Sequence, residues 1–287
     1  MIRKVLWGIT FCFITLPTLA HQPVMDMAPR WKSGWGFQIR DLHYGSNTLL
    51  EGSSKITNSA NRKQSLRKTW LEGIYTFRRE VRLTLKLPYI DQSRTVIRDG
   101  SAVREFGSGI GDLIIGLPLK RYENKSNSTG NLAFTPSLRL PTGGNGDDFP
   151  AGDGSTDIGL SFSASFEKLD LYQYYDLFYW SNSEGDRGIH QGDELGLDIN
   201  IGWHPYHNNL TNTGVFLMAD LSVRYEELGQ NDLGLTGGNR ISVGPVFVWY
   251  QGGIMFRAEY KTLLDETKKG IQLSQGDEYS VGIGFVF

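Results

Sequence analysis

Beyond residue 20 the chain has no cysteine, since its one cysteine is Cys12. Disulfides and thiolate chemistry are therefore excluded from that part. It also lacks a basic excess. The formal net charge is −2, which leaves nothing to neutralise a phosphate backbone, so general nucleic-acid binding is not expected. After the first twenty residues no stretch approaches 18 consecutive apolar residues, which argues against a membrane-spanning helix there. Hydrophobic residues make up 39%, below the usual ~45–50%, so a Leu- and Ala-rich helical bundle is not expected either. Aromatics, at 12%, are too many for a disordered chain. What the chain has in excess is glycine: 35 of 287 residues, about 12% against a usual ~7%.

The first twenty residues read as an export signal. Arg3 and Lys4 form a positive start, Val5 to Leu16 is nearly all apolar, and Thr18 and Ala20 are small residues where a signal peptidase reads. Cleavage after Ala20 removes those two cations, so the net charge goes from −2 to −4. The apolar core is too short for a comfortable membrane span.

The remainder alternates with period two. From Asp157 to Phe166, Ile158, Leu160, Phe162, Ala164 and Phe166 fall on one face and Ser161, Ser163 and Ser165 on the other. Glu194 to Trp203, Val81 to Leu87, Asn131 to Leu140 and the last nine residues repeat the pattern. About twelve such strands are expected, near 35–44, 66–77, 81–89, 112–122, 131–140, 157–166, 171–180, 194–203, 214–225, 241–250, 254–262 and 279–287. The seventh and tenth carry apolar residues on both faces and cannot be phased from sequence.

The connections alternate in length without exception. Those at 45–65, 90–111, 141–156, 181–193, 226–240 and 263–278 are long and rich in Gly, Ser, Asn and Asp; those at 78–80, 123–130, 167–170, 204–213 and 251–253 are short. Long loops on one side and short turns on the other are the pattern of an outer-membrane barrel with both termini in the periplasm. A secreted β-sandwich, the soluble all-β alternative, has no reason to alternate in this way. In lipid every backbone amide needs a partner, so the sheet must close. The expected fold is therefore all-β: one transmembrane antiparallel β-barrel of about 12 strands. Residues 1–20 are its signal peptide, 21–34 a short periplasmic segment and 35–287 the barrel.

The second face of these strands carries charge. Arg40, Glu72, Arg82, Lys86, Asp112, Arg139, Asp198, Asp220, Arg224, Arg257, Glu259 and Lys261 are the candidate pore-lining residues. Both signs are mixed, so no strong ion preference follows. Aromatics mark two rims: Trp35, Trp203, Trp249, Tyr250 and Phe287 on the periplasmic side, and Tyr44, Tyr89, Tyr179, Trp180, Tyr225, Tyr260 and Tyr279 on the outer side. Twelve strands leave a narrow, side-chain-lined passage, and long loops one to three are candidates for folding inward.

Two resemblances carry this further. Tyr279 to Phe287, ending in an aromatic, resembles the assembly signal of Gram-negative outer-membrane proteins. Gly109-Ile110-Gly111-Asp112-Leu113-Ile114-Ile115-Gly116 and Leu138-Arg139-Leu140-Pro141-Thr142-Gly143 resemble the G-x-G-D-L-x-x-G and L-x-L-P-T-G segments of the meta-pathway phenol-degradation outer-membrane β-barrel transporter family. Leu85 to Tyr89 fits it as well. The resemblance implies an outer-membrane channel for small hydrophobic or aromatic compounds. The expected partners are outer-membrane lipid and lipopolysaccharide, the barrel-assembly machinery reading the last strand, and a small solute.

Other chemistry is sparse. The glycines from Gly107 to Gly111 have no βαβ setting and do not read as a nucleotide loop. Asn145 to Asp148 and Asp153 to Asp157 gather oxygen ligands, but without the spacing of a calcium loop, so a solvated loop is the plainer reading. His21, His43, His190, His204 and His207 form no pattern with a serine that would mark a barrel hydrolase. No enzyme, cofactor or metal is expected. The alternative to a pore is a closed barrel with an adhesive, receptor or structural role.

Overall fold

The computed structural model describes residues 32–144, 149–208, 210–230 and 236–287. The expected signal peptide and most of the 21–34 segment lie outside these residues. Among these residues seventeen strands occur: β1 (Gly34–Ser46), β2 (Leu49–Glu51), β3 (Ser54–Ile56), β4 (Gln64–Arg78), β5 (Val81–Arg98), β6 (Ser101–Ile110), β7 (Leu113–Gly116), β8 (Leu119–Lys125), β9 (Ser128–Leu140), β10 (Asp157–Lys168), β11 (Leu171–Ser181), β12 (Glu194–Asn208), β13 (Thr213–Glu226), β14 (Gly238–Gln251), β15 (Ile254–Lys268), β16 (Ile271–Leu273) and β17 (Glu278–Val286). Twelve staves close into one antiparallel barrel, in the order β1, β4, β5, β7 with β8, β9, β10, β11, β12, β13, β14, β15 and β17. Closure is the pairing of the last stave with the first, in which Phe285 lies opposite Phe37 and Ile283 opposite Ile39. No edge is left for the membrane to meet.

The period-two pattern sets the faces. In β10, Ile158, Leu160, Phe162 and Phe166 are exposed, while Asp157 and Gly159 are buried. In β17 and the residue after it, Tyr279, Val281, Ile283, Phe285 and Phe287 are exposed and the residues between them buried. The outward apolar band meets lipid; the inward face closes on itself. The two unphased strands resolve the same way. In β11 the outward residues include Leu171, Leu177 and Tyr179, and Tyr172, Tyr174, Asp176, Phe178 and Trp180 turn in. In β14 Pro245 and Phe247 face out, and Val246, Val248 and Tyr250 face in.

Three aromatics expected in the rims therefore leave them. Tyr44, Trp180 and Tyr250 share the phase of the inward residues of their strands. Period two fixes their direction whatever their type. Glycine makes the room. A Cβ on Gly196 would stand 2.2 Å from the Phe178 ring across the strand pair.

The fourth stave is broken where one strand is expected, at Leu117-Pro118. Proline lacks the N–H that a ladder needs. The register nonetheless continues: Leu117 N–H donates to Pro136 O at 3.0 Å, and Arg82 N–H to Pro118 O at 3.2 Å. Pro205 lies in the β12 bulge between Trp203 and Tyr206.

The two ends differ. At one end the turns are short, such as Arg79–Glu80 between β4 and β5 and Gly252–Gly253 between β14 and β15. At the other, strands outrun the barrel. β5 continues to Arg98 and pairs there with β6 as a hairpin, where sequence leads one to expect a loop. β2, β3 and β16 form a small three-stranded sheet from the first and last long loops.

Candidate functional site

The interior divides into three levels. At the short-turn end lies an apolar cluster of Tyr172, Phe216, Met218, Val246, Val248, Tyr250, Met255 and Val286. His204 stacks on Phe216 with ring centres 3.9 Å apart, and its Nε2 lies 3.3 Å from the Tyr250 hydroxyl.

Above it runs a ladder of ion pairs. Arg224 Nη2 reaches Asp198 Oδ1 and Oδ2 at 2.8 and 2.9 Å. The Ser222 hydroxyl joins Asp198 and Asp220, at 2.6 and 2.9 Å. Lys261 Nζ meets Asp220 at 2.8 Å and Glu259 at 2.9 Å, and Arg257 meets Glu259 at 2.9 Å. Arg40 faces Glu72 at 3.3 Å. The strands place these partners side by side because Asp198 and Ser222 are opposite in register, as are Asn200 and Asp220. Charges held out of bulk water keep their ionised form only when paired in this manner.

At the long-loop end the chain is clasped. The Asp112 carboxylate accepts from Gly143 N–H at 2.8 Å and Asp153 N–H at 3.3 Å. The Thr142 hydroxyl accepts from Leu113 N–H at 2.8 Å, and Gly144 N–H donates to Ile110 O at 3.0 Å. The two glycine-rich segments singled out in the sequence, around 109–116 and 138–143, are thus the two sides of one clasp. A Cβ on Gly107 would stand 1.6 Å from Phe149 O, so only glycine lets the third loop lie on the β5–β6 hairpin. Arg94 lies over the Phe149 ring at 4.0 Å and pairs with buried Glu105 at 2.6 Å. Asp157, fully buried, holds Arg139 at 3.0 Å, the Ser155 hydroxyl at 2.7 Å and Ser183 N–H at 2.9 Å.

The long loops link into a ring. Loop one joins loop six through Glu51 and Ile271. Lys63 O accepts from Thr95 N–H, which ties loop one to the hairpin of loop two. Loop three meets loop four where Asp186 N–H donates to Asp153 O. His190 and Gln230 exchange backbone bonds between loops four and five. Gln272 Nε2 donates to Thr236 O at 2.9 Å, which joins loop five to loop six.

All twelve charged residues singled out in the sequence occupy inward positions. Eight form the ladder and the Arg40–Glu72 pair; Asp112 and Arg139 belong to the long-loop end. Arg82 donates to the Tyr122 hydroxyl at 2.9 Å, and Lys86 lies opposite Glu72 in the β4–β5 register. Sequence reasoning missed the inward aromatics Trp70, Tyr174, Phe178 and Trp180, and Lys68 and Asp176 beside them. Asp176 was the available signal, since it is the one charge in β11 and fixes the phase of the strand.

The histidines do not converge. His43 is exposed, His190 Nε2 lies 2.8 Å from Asn182 O in loop four, and His204 and His207 share the short-turn end. His21 lies outside the described residues, as do Asn145 to Asp148 of the oxygen-rich loop. Among the described residues no group of three His, Cys, Asp or Glu is placed to hold a metal ion.

A profile of the family described as "Putative MetA-pathway of phenol degradation" matches residues 45–276. No curated protein matches the chain. Among solved structures, an outer membrane channel of Pseudomonas putida F1 superposes with a TM-score of 0.66 at 14% identity, over 89% of this chain and 96% of that one. The translocator domain of the autotransporter NalP from Neisseria meningitidis gives 0.44 at 12% identity, over 89% of each chain. The NanC porin gives 0.42 at 9%, over 86% of this chain and 98% of that one. The likeness to the Pseudomonas channel is one of fold.

Proposed function

From the chain's membership of the MetA-pathway phenol-degradation family, we propose that it is an outer-membrane channel for passive passage of small compounds. One observation carries this reading: a closed twelve-stave barrel with an apolar outer belt and a charged, hydroxyl-rich interior. Such a wall is stable only across a bilayer, and such an interior suits polar contact with a solute. Residues 1–20 are the export signal, removed after Ala20. The short turns face the periplasm with both termini, and the clasped loops face outward toward lipopolysaccharide. Tyr279 to Phe287 is read by the barrel-assembly machinery.

The twelve inward charges line the passage. The family implies hydrophobic or aromatic solutes, and the ring faces of Trp70, Tyr174, Phe178 and Trp180 on the inward side support aromatic contact. Nothing in this reading calls for catalysis or a cofactor. One feature favours the alternative of a closed receptor or structural barrel: the ring of loop contacts over one end, with the apolar cluster at the other.

The test is a fractionation followed by a swelling assay. The protein should enter the outer-membrane fraction, migrate differently on gels when unheated, and make liposomes permeable to small solutes. Membrane insertion without any permeability supports the closed barrel. Recovery as a soluble periplasmic monomer overturns both.

A further inference from the structure

The interior is filled unevenly. On β13 to β15 the inward Met218, Asp220, Val246, Arg257 and Glu259 are buried. They pack on one another in the apolar cluster or pair within the ladder. On the facing staves β5, β9 and β10 the inward Thr84, Thr135, Ser137 and Ser163 stay partly exposed. The open part of the interior therefore runs along β5 to β10.

Three hydroxyl-bearing side chains on this side converge on one glycine. Gly116, the last residue of β7, lies between Thr84 of β5 and Ser137 of β9 in register. A Cβ on it would stand 2.5 Å from Thr84 Oγ1, 3.2 Å from Ser137 Oγ and 3.5 Å from Thr135 Cγ2. Gly116 closes the G-x-G-D-L-x-x-G segment, and its φ lies outside the left-handed region, so its backbone does not demand glycine. What glycine supplies there is space, and a strand glycine of this kind marks a close approach. The hydroxyls of Thr84, Thr135 and Ser137 have no hydrogen-bond partner among the described residues.

Each hydroxyl can both donate and accept. The inward charges to either side on β5 are already engaged: Arg82 donates to the Tyr122 hydroxyl, and Lys86 lies opposite Glu72. The cradle itself is neutral. A solute hydroxyl that enters it accepts from one of these groups and donates to another. A ring without a hydroxyl makes neither bond and leaves the cradle unsatisfied, which is where discrimination arises.

We propose that Thr84, Thr135 and Ser137, gathered around Gly116, are the specificity-determining residues of the passage, and that they favour uncharged aromatic solutes bearing a hydroxyl over those without one. This rests on the channel reading and narrows its solute class.

The experiment is block of the ion current through the purified protein in a planar bilayer, with phenol and fluorobenzene as probes. Phenol should lower the wild-type current at concentrations where fluorobenzene does not. Thr84→Val with Ser137→Ala removes two hydroxyls at nearly constant volume and should raise the half-blocking phenol concentration severalfold. Gly116→Ala, which fills the cradle, should do the same. Ser280→Ala removes a buried hydroxyl outside the cradle and should leave the block unchanged. Comparing variants in one lipid cancels any action of the probes on the bilayer, and unheated gel migration establishes that each variant is folded. If folded Thr84→Val with Ser137→Ala keeps the wild-type phenol block, the proposal is overturned while the channel reading stands. Equal block of the wild type by both probes overturns it as well, and so does block by benzoate that weakens to the same extent in the double variant. If the wild-type protein carries no current, the channel reading fails and the proposal with it.

Discussion

The outward and inward faces of the same strands obey different rules. Outside, each residue answers only to lipid. Leu160 and Phe162 need to be apolar, and their neighbours across the strands matter little. Inside, each residue answers to another strand. Asp198 is in place because Arg224 and Ser222 lie on the next stave, and Asp220 because Lys261 lies two staves away. The outer face is thus a one-dimensional pattern, and the inner face a set of long-range pairings. Changes of similar chemistry should have opposite consequences on the two.

The sharpest break of this comparison is topological, because it is all or none. Cysteines at Ser53, Ser101 or Gly270 should react on intact cells with a reagent that does not cross the membrane, and cysteines at Asn127 or Lys168 should not. The one native cysteine is Cys12, inside the proposed export signal, so removal of that signal leaves a clean background. Labelling of the second set on intact cells contradicts the assignment of the ends.

Next in size is the loss of an inward acid. Asp157→Ala removes the carboxylate that holds Arg139 and leaves that guanidinium without its ion-pair partner. The expected cost is about 3–5 kcal/mol, read as a lower urea midpoint in detergent. A variant as stable as wild type would mean that the inward pairings are dispensable.

Charge on the lipid face follows. Leu160→Arg or Ile199→Arg should each cost about 2–4 kcal/mol in a bilayer. Ser161→Arg, one residue from the first, should fold because it turns toward Asp176. Equal stability of Leu160→Arg and Ser161→Arg in lipid refolding assays would erase the distinction between the faces.

The smallest effect concerns Asp277 in the last long loop. The hydroxyls of Tyr260 and Thr262 donate to its carboxylate at 2.7 and 2.9 Å and hold its pKa below the ordinary range. A depressed carboxylate stabilises the fold above its unfolded pKa of about 4 and loses that contribution as pH falls through the lower folded value. Asp277→Asn should therefore melt slightly below wild type at neutral pH and level with it in strong acid. A gap that widens on acidification would reverse the sign of this account.

These differences explain what could be read in advance. The twelve staves and their alternation were legible because lipid imposes period two on every strand. Short turns against long loops were legible from length alone. The phase of β11 was not, since Tyr172, Tyr174, Phe178 and Trp180 make its inner face as aromatic as its outer one. That face is permitted by Gly159 and Gly196 on neighbouring strands. The clasp was half legible. Its two glycine-rich segments stand out in sequence, but their meeting through Asp112 and Gly143 depends on a loop contact between residues 31 apart.

The central claim is passage through the barrel, and single-channel recording in a planar bilayer tests it most directly. Purified protein should give discrete, reproducible conductance steps, smaller than those of sixteen-stranded porins because twelve staves enclose a narrower lumen. Correctly folded, inserted protein that leaves the bilayer electrically silent would contradict the account.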